Sequence, residues 1–570
     1  MDAQYAPLFN AWKELYPGLP DDLLRDFIAE LELTRAGLHL GQMEPEWYKE
    51  AVVYSLYVDL FNKDFRGLTD RLDYLQDLGV NCLWLLPILD SPMRDAGFDI
   101  SDYRKIRPEL AGLAMDASPE ELDRIFRQFL DEAHKRGLRV IFDIATNHIS
   151  DQHKWFLEAR KSKDNPYRDF FIWSKDGKGF PGARIIFEGI EESNWKKDGE
   201  EYYFHRFFDF QPDLNYRNPK VLIEISRNLL FWVERGVDGF RADAIPYIWK
   251  EEGTTCENLP KTHTVVKFFR GVLEAVRPGM LLLAEACQKP HEVVKYFGNG
   301  DECNAGYHFP LMPQMFKAVA MESREPVYNT LSPAVTPAIP GSAQWFTFLR
   351  CHDELSLELV YVTEEDSKYI HDHYCRRPEW DFRLGQGISA RLSELMERDP
   401  ARIGLIFSIM LTLPGTPVIY YGDEFGKLND EDYYKEMVQV IGKDDTRFLV
   451  RGKIDWEQVD MALAWPNSYE SHVFSQLKGM LKTRNEYPVF GKGDIQWLEM
   501  EKPDGSAASE IMAYVRSHGS RKALVVQNLS GNEIELRWDY PGARHLAGHA
   551  PVVINGQVRL NPYAYLWLTI

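Results

Sequence analysis

Gly239-Phe240-Arg241-Ala242-Asp243 decides the fold. It reads as a short buried strand that ends on a carboxylate, after a helix that runs out at Gly236. Three other stretches share the form: Arg139-Val140-Ile141-Phe142-Asp143, Leu281-Leu282-Leu283-Ala284-Glu285, and residues 345–350 leading into Cys351-His352-Asp353. Each is an apolar run that stops at an acid. Four strands that each deliver a carboxylate at the C-terminal end predict one site at one end of a parallel barrel.

Working outward, strands are predicted at 52–58, 80–86, 140–143, 239–243, 281–285, 305–307, 345–349 and 417–421, with helices at 67–78, 120–136 and 221–234 among them. Repeated β/α alternation with eight strands predicts an α/β chain with a closed (β/α)8, or TIM, barrel over residues 46–148 and 216–480. Residues 149–215 are too long for a barrel connection and rich in charge and aromatics, so they form an inserted domain over the catalytic end. Residues 427–470 read as a long polar loop after the eighth strand. Residues 1–45 are a helical segment in which Asp21 or Asp22 caps a helix bearing Leu23, Leu24, Phe27, Ile28 and Leu31. Past Tyr487 the period changes to two, which predicts a C-terminal antiparallel β-sandwich domain at 481–570.

The 570 residues carry a net charge of −21, which excludes nucleic acid and anionic membrane surfaces as natural partners. No apolar run reaches the length of a membrane span. The first residues lack a basic stretch followed by an apolar run, so no signal peptide is expected. Six scattered cysteines with no CxxC pair read as reduced thiols of a cytoplasmic protein. Oligomeric state is left open.

Cleaving an acetal requires a proton donor on the leaving oxygen and a carboxylate that attacks or stabilises the sugar cation. Arg241 lies two residues before Asp243, on the same inward face of a strand, and its guanidinium favours an ionised Asp243, as a nucleophile requires. Glu285 follows an apolar strand between Ala284 and Ala286, where desolvation suits an acid/base. A single acid at a strand end is more often structural; four at corresponding positions reverse those odds.

The segments Asp143-Ile144-Ala145-Thr146-Asn147-His148, Gly239–Asp243, Ala284-Glu285-Ala286 and His352-Asp353-Glu354 together resemble the motifs of glycoside hydrolase family 13, the α-amylase family. The resemblance implies Asp243 as nucleophile, Glu285 as acid/base and Asp353 as a third acid gripping sugar hydroxyls, with His148, Arg241 and His352 binding the same glucose ring. Gln211-Pro212-Asp213-Leu214-Asn215 and Gly97-Phe98-Asp99-Ile100-Ser101-Asp102-Tyr103 resemble the branch acting on short α-glucosides. There Phe98 would stack on the ring, Gln211 would join the substrate-binding set, and an Asp99–Arg451 pair would cap a one-glucose pocket. Such a cap argues against a polysaccharide-cleaving amylase.

Within that branch Ser91-Pro92-Met93-Arg94-Asp95, His205-Arg206-Phe207-Phe208 and Glu252-Gly253-Thr254-Thr255-Cys256-Glu257-Asn258 are similar to the trehalose synthase subfamily. The implied substrate is a small α-glucoside such as maltose or trehalose, interconverted by intramolecular transglucosylation, with hydrolysis or another donor such as sucrose as the alternatives. With all three acids present, a catalytically dead binding module is disfavoured.

The sequence departs from the subfamily in several places. The calcium loop after the first strand is cut down to Phe61-Asn62-Lys63-Asp64-Phe65. Cys351 stands for an asparagine and Phe98 for a tyrosine. A second calcium site would use Asn147, Asp213, the backbone at Tyr247 and Ile248, and a glutamate whose place Lys250 takes. A cation in place of an anionic ligand should cripple a hard-ion site, so no cofactor is required, no metal-binding residue is assigned, and calcium there is disfavoured but left open. Two readings of Lys250 stand: its ammonium replaces the ion and binds Asp213, or it points into solvent.

Overall fold

A computed structural model of the chain describes residues 3–39, 41 and 43–570. Its centre is a closed barrel of eight parallel strands: β1 (Val53–Leu56), β2 (Cys82–Leu85), β3 (Arg139–Ala145), β4 (Gly239–Asp243), β5 (Leu281–Ala284), β6 (Ala305–Tyr307), β7 (Gln344–Phe348) and β8 (Thr416–Tyr420). They follow one another in chain order, and β8 pairs with β1. Seven of the eight strands are buried along their whole length, Arg139 alone being partly exposed, which is why they read as unbroken apolar runs rather than alternating ones.

Register places the chemistry. Asp143 of β3 stands opposite Arg241 of β4, and Arg241 stands opposite Leu283 of β5. Residues two further along, Asp243 and Glu285, therefore emerge together at the C-terminal rim. Gly239 is needed where β4 starts, because a Cβ there would lie 2.5 Å from both Cβ and the carbonyl oxygen of Leu281.

The helices Ala6–Leu15 and Asp22–Gly37 pack on the outer helix Pro260–Val276. Leu24, Phe27, Ile28 and Leu31 are buried there, and Phe27 stacks on Phe268 at 6.3 Å. Asp21 stands at the start of the second helix but does not cap it; its carboxylate is paired with Arg25 instead.

Between β3 and the helix Pro219–Val233 lies a small unit with a helix, Lys154–Ala159, and an antiparallel sheet of Trp173–Ser174, Glu201–Phe204 and Trp195–Asp198. Its aromatics form its own packing: Phe156 meets Phe171 and Tyr203, each at 4.9 Å. A second excursion, after β7, forms an antiparallel sheet of Leu355–Ser356, Gly387–Ile388 and Asp381–Phe382.

Residues 427–470 are not the long loop expected. They fold into the helices Glu431–Ile441 and Trp456–Leu463 and a 3-10 turn Thr446–Val450. Their helical character is set by local caps, with Asp430, Asp445 and Asp455 each accepting from a backbone N–H two or three residues on. The first of them buries no side chain, so the core periodicity that betrays a helix is missing.

The C-terminal region has a five-stranded antiparallel sheet and a three-stranded one. Leu524, Val526, Leu566 and Leu568 of the first pack with Leu536, Val558 and Leu560 of the second. The opposite face of the larger sheet, with Tyr514, Val525 and Trp567, joins the barrel's own core. Two buried arginines brace the segment before β8: Arg516, on a C-terminal strand, donates to the carbonyls of Thr412 and Gly493, and Arg484, on the preceding helix Tyr469–Glu486, to those of Leu411 and Gly415. Among the described residues no helix is long and apolar enough to cross a membrane.

Candidate active site

Asp143 inside β3, Asp243 at the end of β4 and Glu285 just past β5 converge on one guanidinium. Arg241 Nη1 donates to Asp143 Oδ1 at 2.6 Å and to Asp243 Oδ1 at 2.7 Å, while its Nη2 lies 3.4 Å from Glu285 Oε1. Asp143 is held from its far side by the Trp84 indole N–H at 2.8 Å. Glu285 Oε2 accepts from the backbone N–H of Ala244 at 2.9 Å. Ala244 presents that N–H from a left-handed conformation, φ 55°, just past the end of β4.

One electrostatic expectation is corrected. The Arg241 guanidinium does not dominate Asp243: burial, with the neighbouring Glu285, pushes its carboxyl well above the usual range against the pull of Arg241. Arg241 contacts Asp243 directly and Glu285 only at the longer distance, so it favours placing the charge on Asp243. Glu285 is half-buried rather than fully desolvated, since the end of β5 opens into the cavity.

His148, Phe98, His352 and Asp353 line the same cavity. Phe98 lies nearly parallel to His352, with centroids 5.6 Å apart. His352 Nε2 is 3.1 Å from Asp353 Oδ2. Burial would raise the Asp353 carboxyl, but His352 and the guanidiniums of Arg447 and Arg451 outweigh it and hold it below the ordinary carboxylate range.

The cap is built differently from the expectation. Asp99 is fully buried beneath the pocket, where it accepts from Ser91 Oγ at 2.8 Å and from the backbone of Arg94 and Asp95. It is bound up in shaping a turn and does not meet Arg451. Arg451 instead donates to the His352 carbonyl at 2.8 Å and to Asp353 at 3.1 Å. The acid of this segment that faces the cavity is Asp95, three residues before Phe98, and Arg447 is the cation that most favours its charge. Burial lifts the Asp95 carboxyl to about 6 in spite of Arg447. Gln211 is fully buried and does not line the cavity; its amide donates to Asp95 at 2.9 Å, which makes it a support for that acid. Sequence reasoning missed Asp95 and Arg447. Both lie inside stretches already singled out, four residues from Asp99 and from Arg451 respectively.

Beyond the acids the cavity is walled by Arg184, Ile186, Phe187 and Phe207 from the unit after β3, and by Glu358, Phe382 and Arg383 from the excursion after β7. Arg383 ties the two walls, donating to the Ile186 carbonyl at 3.0 Å and to Glu358 at 3.1 Å.

Ligand atoms of Cys351, His352 and Asp353 lie within 4.8 Å of one another. Two guanidiniums already occupy Asp353 Oδ1, so a cation would meet repulsion there. The residues of the implied calcium site also do not fit an ion. Lys250 is buried, not in solvent, with Nζ 2.6 Å from Asn147 Oδ1, 2.7 Å from Asp213 Oδ2 and 3.4 Å from the Ile248 carbonyl. The ammonium takes up the oxygens a hard cation would need.

A closed (β/α)8 barrel whose third, fourth and fifth strands deliver acids to one arginine at the C-terminal rim is the architecture of α-amylase-type enzymes. The alpha amylase catalytic domain matches residues 61–465, and the chain belongs to that family, glycoside hydrolase family 13. Within it the chain is trehalose synthase-like. It is 40% identical over 556 residues to a trehalose synthase/amylase of Mycolicibacterium smegmatis, a match covering 90% of this chain and 89% of that one. It is 31% identical over 577 residues to an oligo-1,6-glucosidase of Heyndrickxia coagulans, covering 86% and 93%. Among solved structures, a trehalose-6-phosphate hydrolase of Bacillus licheniformis shares the fold with a TM-score of 0.68 at 24% identity, over 92% of this chain and 100% of that one.

Proposed function

We propose that this chain transfers a glucosyl unit within short α-glucosides, interconverting maltose and trehalose with retention. Asp243 attacks the anomeric carbon and forms the glucosyl ester as the glycosidic C–O bond breaks. Glu285 gives its proton to the leaving oxygen, then takes one from the hydroxyl of the reoriented glucose that displaces Asp243. Asp353, His148 and His352 hold ring hydroxyls, Phe98 covers a face of the ring, and the Asp95–Arg447 side closes the pocket behind a single glucose.

The observation that carries transfer over hydrolysis is the Arg383 bridge. Held by Glu358 on its own wall, Arg383 reaches the Ile186 carbonyl of the other and joins the two over the acceptor side, where released glucose must be retained and water excluded. Hydrolysis is the second reading, favoured by the likeness to an oligo-1,6-glucosidase. Lys250 supports a reaction with no calcium requirement, and six free cysteines support a reducing compartment such as the cytoplasm.

Proton NMR of the purified protein with maltose tests the proposal. Growth of the trehalose anomeric signal with little free glucose is expected. Glucose as the sole product would replace this reading with hydrolysis, and an unchanged maltose spectrum would overturn both.

A further inference from the structure

We infer that Lys250 is a positioning residue: through Asn147 it fixes the tautomer in which His148 turns an N–H toward the bound sugar. The inference rests on the sugar-site reading above only for what His148 would contact. The chain of atoms is short and buried, with Lys250 3%, Asn147 0% and His148 1% exposed. An ammonium has donors and no acceptor, so the Asn147 atom 2.6 Å from Lys250 Nζ must be the carbonyl oxygen Oδ1. A flipped amide would set two donors face to face.

With Oδ1 committed, the amide Nδ2 is the atom 3.2 Å from His148 Nδ1. Nδ2 can only donate, so His148 Nδ1 must accept and be bare of hydrogen. An imidazole whose Nδ1 accepts is the neutral ring, because the imidazolium carries hydrogen on both nitrogens. Its one ring hydrogen is then on Nε2. That atom is buried without a hydrogen-bond partner among the described residues, in a ring that lines the cavity. It is a donor waiting for an acceptor, and a sugar oxygen supplies one. Asp213 completes the arrangement by neutralising Lys250 at 2.7 Å, which makes a buried ammonium tolerable.

The test is the ring ¹⁵N spectrum of His148 in substrate-free protein, assigned by its loss in His148→Gln. It does not depend on which glucoside the enzyme uses, so it can fail while the proposed reaction stands. The wild-type ring is expected neutral with hydrogen on Nε2; hydrogen on Nδ1 would overturn the inference. In Asn147→Asp, which keeps an oxygen for Lys250 and turns another toward the ring, Nδ1 should gain a proton; a bare Nδ1 there also refutes it. Lys250→Met frees the amide to rotate. A mixture of tautomers and a roughly tenfold lower kcat/KM are expected, the factor that losing one properly directed hydrogen bond sets. An unaltered ring spectrum in folded Lys250→Met would show that the lysine merely fills space.

Discussion

Arg447 Nη1 lies 3.1 Å from Asp353 Oδ1, the oxygen that also accepts from Arg451 at the same distance. Arg447 is itself clamped by Asp445 through Nε and Nη2, at 2.9 and 2.7 Å, so its planar fork is fixed before substrate arrives. Arg447→Lys keeps the charge but loses the fork. We expect kcat/KM to fall roughly 10- to 100-fold, the range set by one or two charge-assisted hydrogen bonds. Wild-type kinetics in this variant would remove Arg447 from the pocket.

Glu285→Gln should lower turnover of maltose by about 10²–10⁴, the usual contribution of a positioned acid. An aryl α-glucoside whose leaving group needs no proton should still glucosylate Asp243 and stall there. A glucosylation step slowed as much with the aryl substrate as with maltose would deny Glu285 its role as the acid.

Asp95 gives a pH dependence with a definite sign. Its folded-state value of about 6 lies above the ordinary 3.8. The group therefore stabilises the fold fully below pH 3.8, and that contribution is lost as pH rises through 6. Asp95→Asn removes the penalty of ionising it. Relative to wild type, the variant should gain up to about 3 kcal/mol of stability on going from pH 4 to pH 7. Denaturant titrations at the two pH values measure this, and a constant difference would contradict the burial-driven shift.

Arg383→Ala cuts the bridge between Ile186 and Glu358. The ratio of free glucose to disaccharide product should rise about fivefold, the factor that ~1 kcal/mol sets. Product ratios from maltose decide it; an unchanged ratio would place the water barrier elsewhere.

Chelation should leave the enzyme untouched. With Lys250 Nζ bonded to Asn147 and Asp213, activity and Tm in EDTA are expected to match those in added calcium. Activity lost in EDTA and restored by calcium would disprove the assignment.

These cases show how much a sequence makes legible. The barrel was readable because a strand buried on both faces is an uninterrupted apolar run, and its acid end points to the rim. Arg241, Asp243 and Glu285 followed from those strand ends and from the two-residue spacing of Arg241 and Asp243. Asp95 was not readable: Asp95, Asp99 and Asp102 crowd one short segment, and a tight turn decides which acid faces the cavity and which ties down backbone N–H groups. Arg447 and Arg451 pose the same difficulty, since both ends of a single 3-10 turn reach Asp353. Lys250 was visible as a charge reversal, but its choice between solvent and core was a matter of packing.

The brace formed by Arg484 and Arg516 has a consequence for how the molecule comes apart. Both guanidiniums are buried, and both spend donors on main-chain carbonyls at residues 411–415, immediately before β8. Arg516 stands on a C-terminal strand and Arg484 on the helix Tyr469–Glu486 that leads into those sheets, so pulling the sheets away would strip the Thr412 carbonyl of its partner and loosen the barrel core beside its closing strand. The two regions should thus melt in a single cooperative transition. A chain truncated after the barrel would behave as a frayed, aggregation-prone fragment instead of a smaller enzyme.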